Sequence, residues 1–187
     1  MSKSSLRMAC LLLVAFLATE THANATLVRS FSMAALTLES HDIVRGEVIG
    51  EEVVFDPRYD EVFTDTVIRV HETMAGTSPE GDVVVLRQIG GVLDGVETHV
   101  VGTVDLQVGD EVVAFMRTDG AFHYLVGMSQ GAWAVDRPAQ GGAQLHRNLG
   151  GVTRVARPIP ARQVAPNRLR LQALRDIVAA IRAGGGR

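Results

Sequence analysis

The chain has 187 residues, 47% of them hydrophobic and 21% charged, with a formal charge of −3 and one cysteine, Cys10. That composition excludes a disulfide scaffold, and the length supports one domain with a real core. The small net charge conceals a division, because Thr26 to Asp136 holds 19 acids against 6 arginines (−13) while Arg137 to Arg187 holds 10 arginines against Asp176 alone (+9).

Lys3 and Arg7 precede the apolar run Met8 to Ala18, which ends near the small residues Ala23-Asn24-Ala25. The run is too short to span a bilayer and closes on an Ala-x-Ala-like site, so residues 1–25 are predicted to be a secretory signal peptide cleaved after Ala25, or after Ala23. Cys10 leaves with it, and the exported product has no thiol. The sequon Asn24-Ala25-Thr26 straddles the cleavage site and carries no weight. No later segment reaches spanning length, so the expected location is the periplasm or the cell exterior, with no transmembrane segment.

Ser32 is placed to cap a short helix through Glu39, with Met33, Leu36 and Leu38 turned inward. Asp42 to Gly50 reads as a strand with Val44 and Val48 on one face, Arg45 and Glu47 on the other, and two glycines that allow a bulge. Glu51 to Glu61, acidic and containing Asp56-Pro57, reads as an exposed, solvated loop. The spacing of Asp56, Asp60, Glu61 and Asp65 matches no EF-hand. Val62 to Thr73 is a long strand with Thr64, Thr66, Ile68 and Val70 on one face and Phe63, Val67, Arg69 and His71 on the other.

Gly76 to Asp82 is a turn. Val83 to Leu86 is a continuous apolar run, read as a central strand covered on both faces. Gly90 to Gly109 has two turn signals and either a short strand around Thr98 to Val104 or mostly loop. Val112 to Met116 and Ala121 to Val126 flank Thr118-Asp119-Gly120, a strong hairpin signal, and Ala132 to Val135 is a further strand. These elements make an acidic β domain over residues 26–136 with five or six strands.

Glycines and prolines punctuate Arg137 to Pro166, read as a linker or draped arm. Asn167 is expected to cap a final helix over 167–184, with an apolar stripe of Leu171, Leu174, Ile177, Val178 and Ile181 and a stop at Gly184. The basic tail is expected to dock on its own acidic body. The alternative is an acidic partner or an unknown protein, or a membrane surface met by the apolar stripe. Nucleic acid is not expected, since the tail has no aromatic residue for base stacking.

Gly127-Met128-Ser129-Gln130-Gly131 fits the Gly-x-Ser-x-Gly nucleophile elbow, and Asp136 and His146 follow in hydrolase order. The expected context is wrong, because a strand rather than a helix follows Ser129 and no strand-helix units precede it. A glycine-rich strand connection is the preferred reading, with Ser129, Asp136 and His146 as the catalytic alternative. His71-Glu72 begins like a zinc-protease signature, but position 75 is Ala. His41, His71, His99, His123 and His146 show no ligand-like pairing, so no metal and no cofactor are expected. Trp133 and Tyr124 are expected in the core or at its rim.

The order of short helix, Asp42-Ile43-Val44-Arg45-Gly46-Glu47-Val48, long strand, turn, Val-rich strand, Val108-Gly109-Asp110-Glu111-Val112, hairpin and Gln130-Gly131-Ala132-Trp133-Ala134-Val135 resembles a group of uncharacterised exported bacterial proteins. Their pattern is similar to the netrin and tissue-metalloproteinase-inhibitor modules. Over Ser32 to Val135 the resemblance implies a small OB-type β-barrel, closed or partly open. Those inhibitors act through an N-terminal cysteine that chelates zinc and are laced with disulfides. This chain has neither after Thr26, so that mechanism is not implied. The expectation is a mainly β, non-enzymatic binding or interaction module of unknown ligand, with a small serine hydrolase as the alternative.

Overall fold

The computed structural model describes residues 26–149, 152–155 and 164–184; the expected signal peptide, residues 1–25, lies outside them. In chain order the elements are β1 (Thr26–Arg29), α1 (Met33–Glu39), β2 (Asp42–Asp56), β3 (Glu61–Ala75), β4 (Val83–Ile89), β5 (Gly91–Leu93) and β6 (Val96–Thr98). There follow β7 (Glu111–Asp119), β8 (Phe122–Leu125), a 3-10 turn (Met128–Gly131), β9 (Ala132–Asp136), β10 (Gln144–His146), β11 (Val152–Val155), β12 (Arg168–Arg170) and α2 (Leu171–Gly184).

Five strands make a ring in the order β7-β2-β3-β4-β8, with β8 returning to β7. All of its pairings are antiparallel except β4 with β8, which run parallel through Leu86 and His123. Counted along the chain, the ring runs 1-2-3-5-4, a mainly β barrel of OB type. The long β2–β3 hairpin supplies the curvature: its register slips at Arg45/Gly46 and again at Val48/Gly50, and each slip bends the strand toward closure. Beyond the ring, β9 pairs with β7, and β10 and β12 extend the sheet.

Two apolar cores result. One fills the ring with Val44, Val48, Ile68, Leu86, Met116 and Leu125. The other lies outside it, where Leu36 of α1 and Leu174 and Val178 of α2 cover Ile43, Phe115 and Trp133. Strand β7 serves both, because alternate residues of a strand point to opposite faces: Val112, Ala114 and Met116 face the ring, Val113 and Phe115 the helices.

This corrects the expectation for Val83 to Leu86. Val83 is half exposed, and the strand covered on both faces is β7, whose residues from Val112 to Met116 are all buried. The expected loop at Glu51 to Glu61 is also strand as far as Asp56, because each residue from Glu51 to Asp56 finds an antiparallel partner on β3, leaving only 57–60 as turn. In place of a strand near Thr98 to Val104, β5 and β6 form a hairpin across Asp94-Gly95, both at positive φ.

Ser32 caps α1 by accepting the Ala35 amide at 3.0 Å, as expected. Leu38 is 55% exposed, since two residues of helix rotate it about 200° from Leu36. Asn167 does not cap α2. Its backbone and side-chain oxygens accept from Arg147, residues 168–170 pair with β10, and the helix starts at Leu171, whose amide reaches Ala143 O at 3.0 Å. The stretch Arg137 to Pro166 contributes β10 and β11, the latter parallel to β1. The basic tail is docked: Leu171, Leu174 and Val178 are buried and Arg175 pairs with Glu72. No helix among the described residues is long and apolar enough to cross a membrane.

Candidate binding cleft

The tip of the β2–β3 hairpin and the β7–β8 turn lie side by side at one end of the ring, and between them opens a cleft of about 440 Å3. Tyr59, Phe63 and Tyr124 give it aromatic walls, and His41, Arg117 and Asp119 edge it. Tyr59 meets Phe63 edge to face, with ring centroids 5.8 Å apart. His41 is held by the Thr118 amide, which donates to Nδ1 at 3.0 Å.

The tip owes its position to a buried charge cluster beside the cleft. Asp56 begins the turn by accepting the Arg58 amide at 3.1 Å, and its carboxylate takes Arg58 Nε at 2.9 Å and Arg87 Nη1 at 3.0 Å. Arg87 in turn grips Asp65 across the β3–β4 ladder, Nε to Oδ1 at 2.6 Å and Nη2 to Oδ2 at 2.5 Å. Its guanidinium lies 3.5 Å from the ring centre of Phe122 and 5.1 Å from that of Phe63. The hydrogen bonds from Arg58 hold the Asp56 carboxyl far below the usual range, against the opposing effect of burial and with help from Arg87. Burial pushes the Tyr124 hydroxyl up, although Arg87 opposes it. Asp56, read from sequence as part of a solvated loop, and Asp65, inside the strand expected over Val62 to Thr73, are thus the anchors of the hairpin tip.

The Gly-Met-Ser-Gln-Gly motif forms a 3-10 turn that leads into strand β9. Its glycines are there for packing: Gly127 has φ of 70° and a Cβ there would meet the Phe31 ring at 2.8 Å, while a Cβ on Gly131 would meet Val126 O at 2.5 Å. Ser129 is buried, and its hydroxyl has no hydrogen-bond partner among the described residues. Asp136 and His146 do come together, Nδ1 standing 3.0 Å from the carboxylate, close enough for an ion pair but not aligned as a hydrogen bond. Ser129 hydrogen-bonds to neither. Of the other histidines, His71 Nε2 faces Glu47 at 3.8 Å, His123 Nε2 faces Asp42 at 3.8 Å, and His99 follows β6. Among the described residues no group of three or more His, Cys, Asp or Glu is placed to hold a metal ion. Trp133 is fully buried, and Tyr124 stands at the rim.

Three residues that sequence reasoning passed over organise this half of the molecule. Gln130, fully buried, accepts the Phe31 amide at 3.0 Å and donates to Arg29 O at 2.9 Å, fastening the N-terminal segment. Arg147 lies over the Trp133 ring at 4.5 Å and reaches Gln130 O at 3.1 Å and Ala165 O at 2.6 Å. Arg87 carried a usable signal, since an arginine inside a valine-rich strand must find a partner when buried. Gln130 and Arg147 carried none.

Compared with known proteins, the chain matches no family model, no curated protein and no solved structure.

Proposed function

We propose that this protein is an exported, non-catalytic interaction module that receives a protein partner at the cleft between Tyr59 and Tyr124. The observation that carries the reading is the meeting of three aromatic side chains with Arg117 and His41 around one cleft, with Arg58 5.5 Å from the Tyr59 ring centre beside it. Tyrosine, phenylalanine and arginine are the residues enriched at protein interfaces, where an aromatic wall takes an apolar anchor and a charged rim excludes water. Tyr59 and Phe55 are each about half exposed at the hairpin tip. The Asp56–Arg87–Asp65 cluster holds that tip in place before any partner arrives, which lowers the ordering cost of binding.

The alternative, a serine hydrolase, has Asp136 beside His146 but no hydrogen bond from either to the buried Ser129. A nucleophile needs its base within reach.

A photo-crosslinking residue placed at position 59, with a second chain labelled at the exposed Val96 as control, tests the proposal against the exported fraction of the source cells. A discrete adduct at position 59 that vanishes in Tyr124→Ala supports it. Equal adducts at both positions, or none at 59, would overturn it. A fluorophosphonate probe checks the alternative, and the expected outcome is no labelling of Ser129.

A further inference from the structure

Strand β12 ends the eight-stranded sheet and carries Arg168 and Arg170 on one face, two residues and so about 7 Å apart. Both residues are exposed, and neither guanidinium has a hydrogen-bond or ion-pair partner among the described residues. Arg168 lines an open cleft of about 610 Å3 with Gln144 and His146, and Arg170 lines a second of about 480 Å3 with Arg45, Arg175 and Gln172. Arg137 lines both, so the two clefts adjoin.

Glu72 and Glu111 engage Arg45, Arg137 and Arg175, and Asp136 faces His146. Asp176, which takes the Gln172 amide at 3.0 Å and acts on Arg175, is a fourth carboxylate. The two of the five arginines that pair with none of them, Arg168 and Arg170, sit on β12. We propose that this groove binds an acidic polysaccharide, a sugar chain bearing carboxylate or sulfate groups.

The lining selects that class over other anions. Guanidinium forks match planar oxyanions two bonds at a time. Beside them stand Gln144 and Gln172, whose amides each donate once within the protein, to Gly142 O at 3.2 Å and to Asp176 Oδ1 at 3.0 Å, and keep a second N–H for a hydroxyl group. A single small anion would reach one cleft, whereas cations spread over two adjoining clefts suit a polymer. The groove has no phenylalanine, tyrosine or tryptophan on which nucleic-acid bases could stack, and its one imidazole, His146, faces Asp136. Its leucines, Leu145 and Leu171, are 1% and 4% exposed, so it offers an acidic protein no apolar anchor. The groove is distinct from the aromatic cleft, and the proposal stands or falls independently of the one made for that cleft.

Titration calorimetry of the full chain with polygalacturonate and with heparin, at low and moderate salt, tests it. Neutral dextran, polyglutamate and poly(dT) are the comparison probes. The expected result is binding to one or both acidic polysaccharides, which also tells carboxylate from sulfate, and none to dextran. Arg168→Gln with Arg170→Gln should weaken that binding by at least about tenfold and flatten its salt dependence, while thermal melting stays unchanged. In the unaltered chain, the side-chain amide resonances of Gln144 and Gln172 should shift on adding the polysaccharide that binds. No binding to either polysaccharide, unmoved Gln144 and Gln172 resonances, or an affinity unaffected by the double change would overturn the proposal. Equal affinity for polyglutamate or poly(dT) would do so too, leaving only a charged strand edge of the kind that discourages aggregation.

Discussion

Glu72 on β3 receives Nε and Nη2 of Arg175 on α2, both at 2.7 Å and across 103 residues of chain. The same carboxylate takes Arg45 Nε at 2.9 Å, Arg45 gives Nη1 to Glu111 at 2.6 Å, and Glu111 receives Arg137 Nε at 2.7 Å. Five alternating charges thus sew the basic tail to the acidic body. Glu72→Gln keeps the shape but removes the charge, and it should cost about 1–2 kcal/mol in urea unfolding, as expected for losing charged hydrogen bonds that are only partly shielded from water. An unchanged midpoint would show that the ladder contributes nothing to docking.

Acid should loosen the same junction. Hydrogen bonds from Arg175, aided by Arg45, hold Glu72 below its ordinary range against burial. Burial raises Glu111 and Asp42, but Arg137 and Arg45 outweigh it at Glu111, and the Thr77 and Ser78 amides do so at Asp42. A carboxyl depressed on folding contributes stability that is complete above its unfolded pKa, about 4, and is lost as pH falls through the folded value. Melting temperature should therefore be level from about pH 8 to 6 and fall below about pH 5. A melt at pH 3 equal to that at pH 7 would refute this.

The outer core depends on α2. Leu174 is fully buried against the face that holds Leu36, Ile43 and Trp133. Leu174→Ala should cost about 2–5 kcal/mol through the cavity it leaves. A chain ending at Asp136 should expose Phe115 and Trp133, shifting the emission of the single tryptophan to the red and binding a hydrophobic dye. Blue, dye-free emission from that shortened chain would mean that the helix is dispensable.

Within the motif, the glutamine should matter and the serine should not. Gln130→Ala strands the Phe31 amide and the Arg29 carbonyl, an expected cost of about 1–3 kcal/mol. Ser129→Ala removes a buried hydroxyl with no partner among the described residues, so its stability should be unchanged or slightly raised. Chemical denaturation of both variants gives the comparison, and the reverse order of effects would contradict the assignment.

Some of this was readable before any coordinate. Ser32 announced its cap, the alternation of Thr66, Ile68 and Val70 announced the inner face of β3, and the apolar runs around Asp119-Gly120 announced the β7–β8 hairpin, which pairs Asp119 with Phe122. The cleft was not readable. Tyr59, Phe63, Arg117 and Tyr124 come from three strands and a turn, and nothing in the spacing of 59, 117 and 124 says that the ring closes on them. The acidic run misled because composition treats carboxylates as solvated, whereas Asp56 finds Arg87 31 residues away and Asp65 finds it 22 residues away.

The order of residues alone determined what neighbours decide: strand periodicity, turn positions, the cap at Ser32, and a tail of opposite charge to its body. Those depend on backbone sterics and on patterns a few residues long. Only the tertiary structure decided which carboxylates are buried, which arginines are spent on them and which are left over on β12, and that Ser129 is packing while Gln130 is a clamp. These follow from distances set when the ring closes and β7 receives a helix-covered core on its outer face. Pairing energy depends on those distances and on the water excluded around them, neither of which is written in the spacing along the chain.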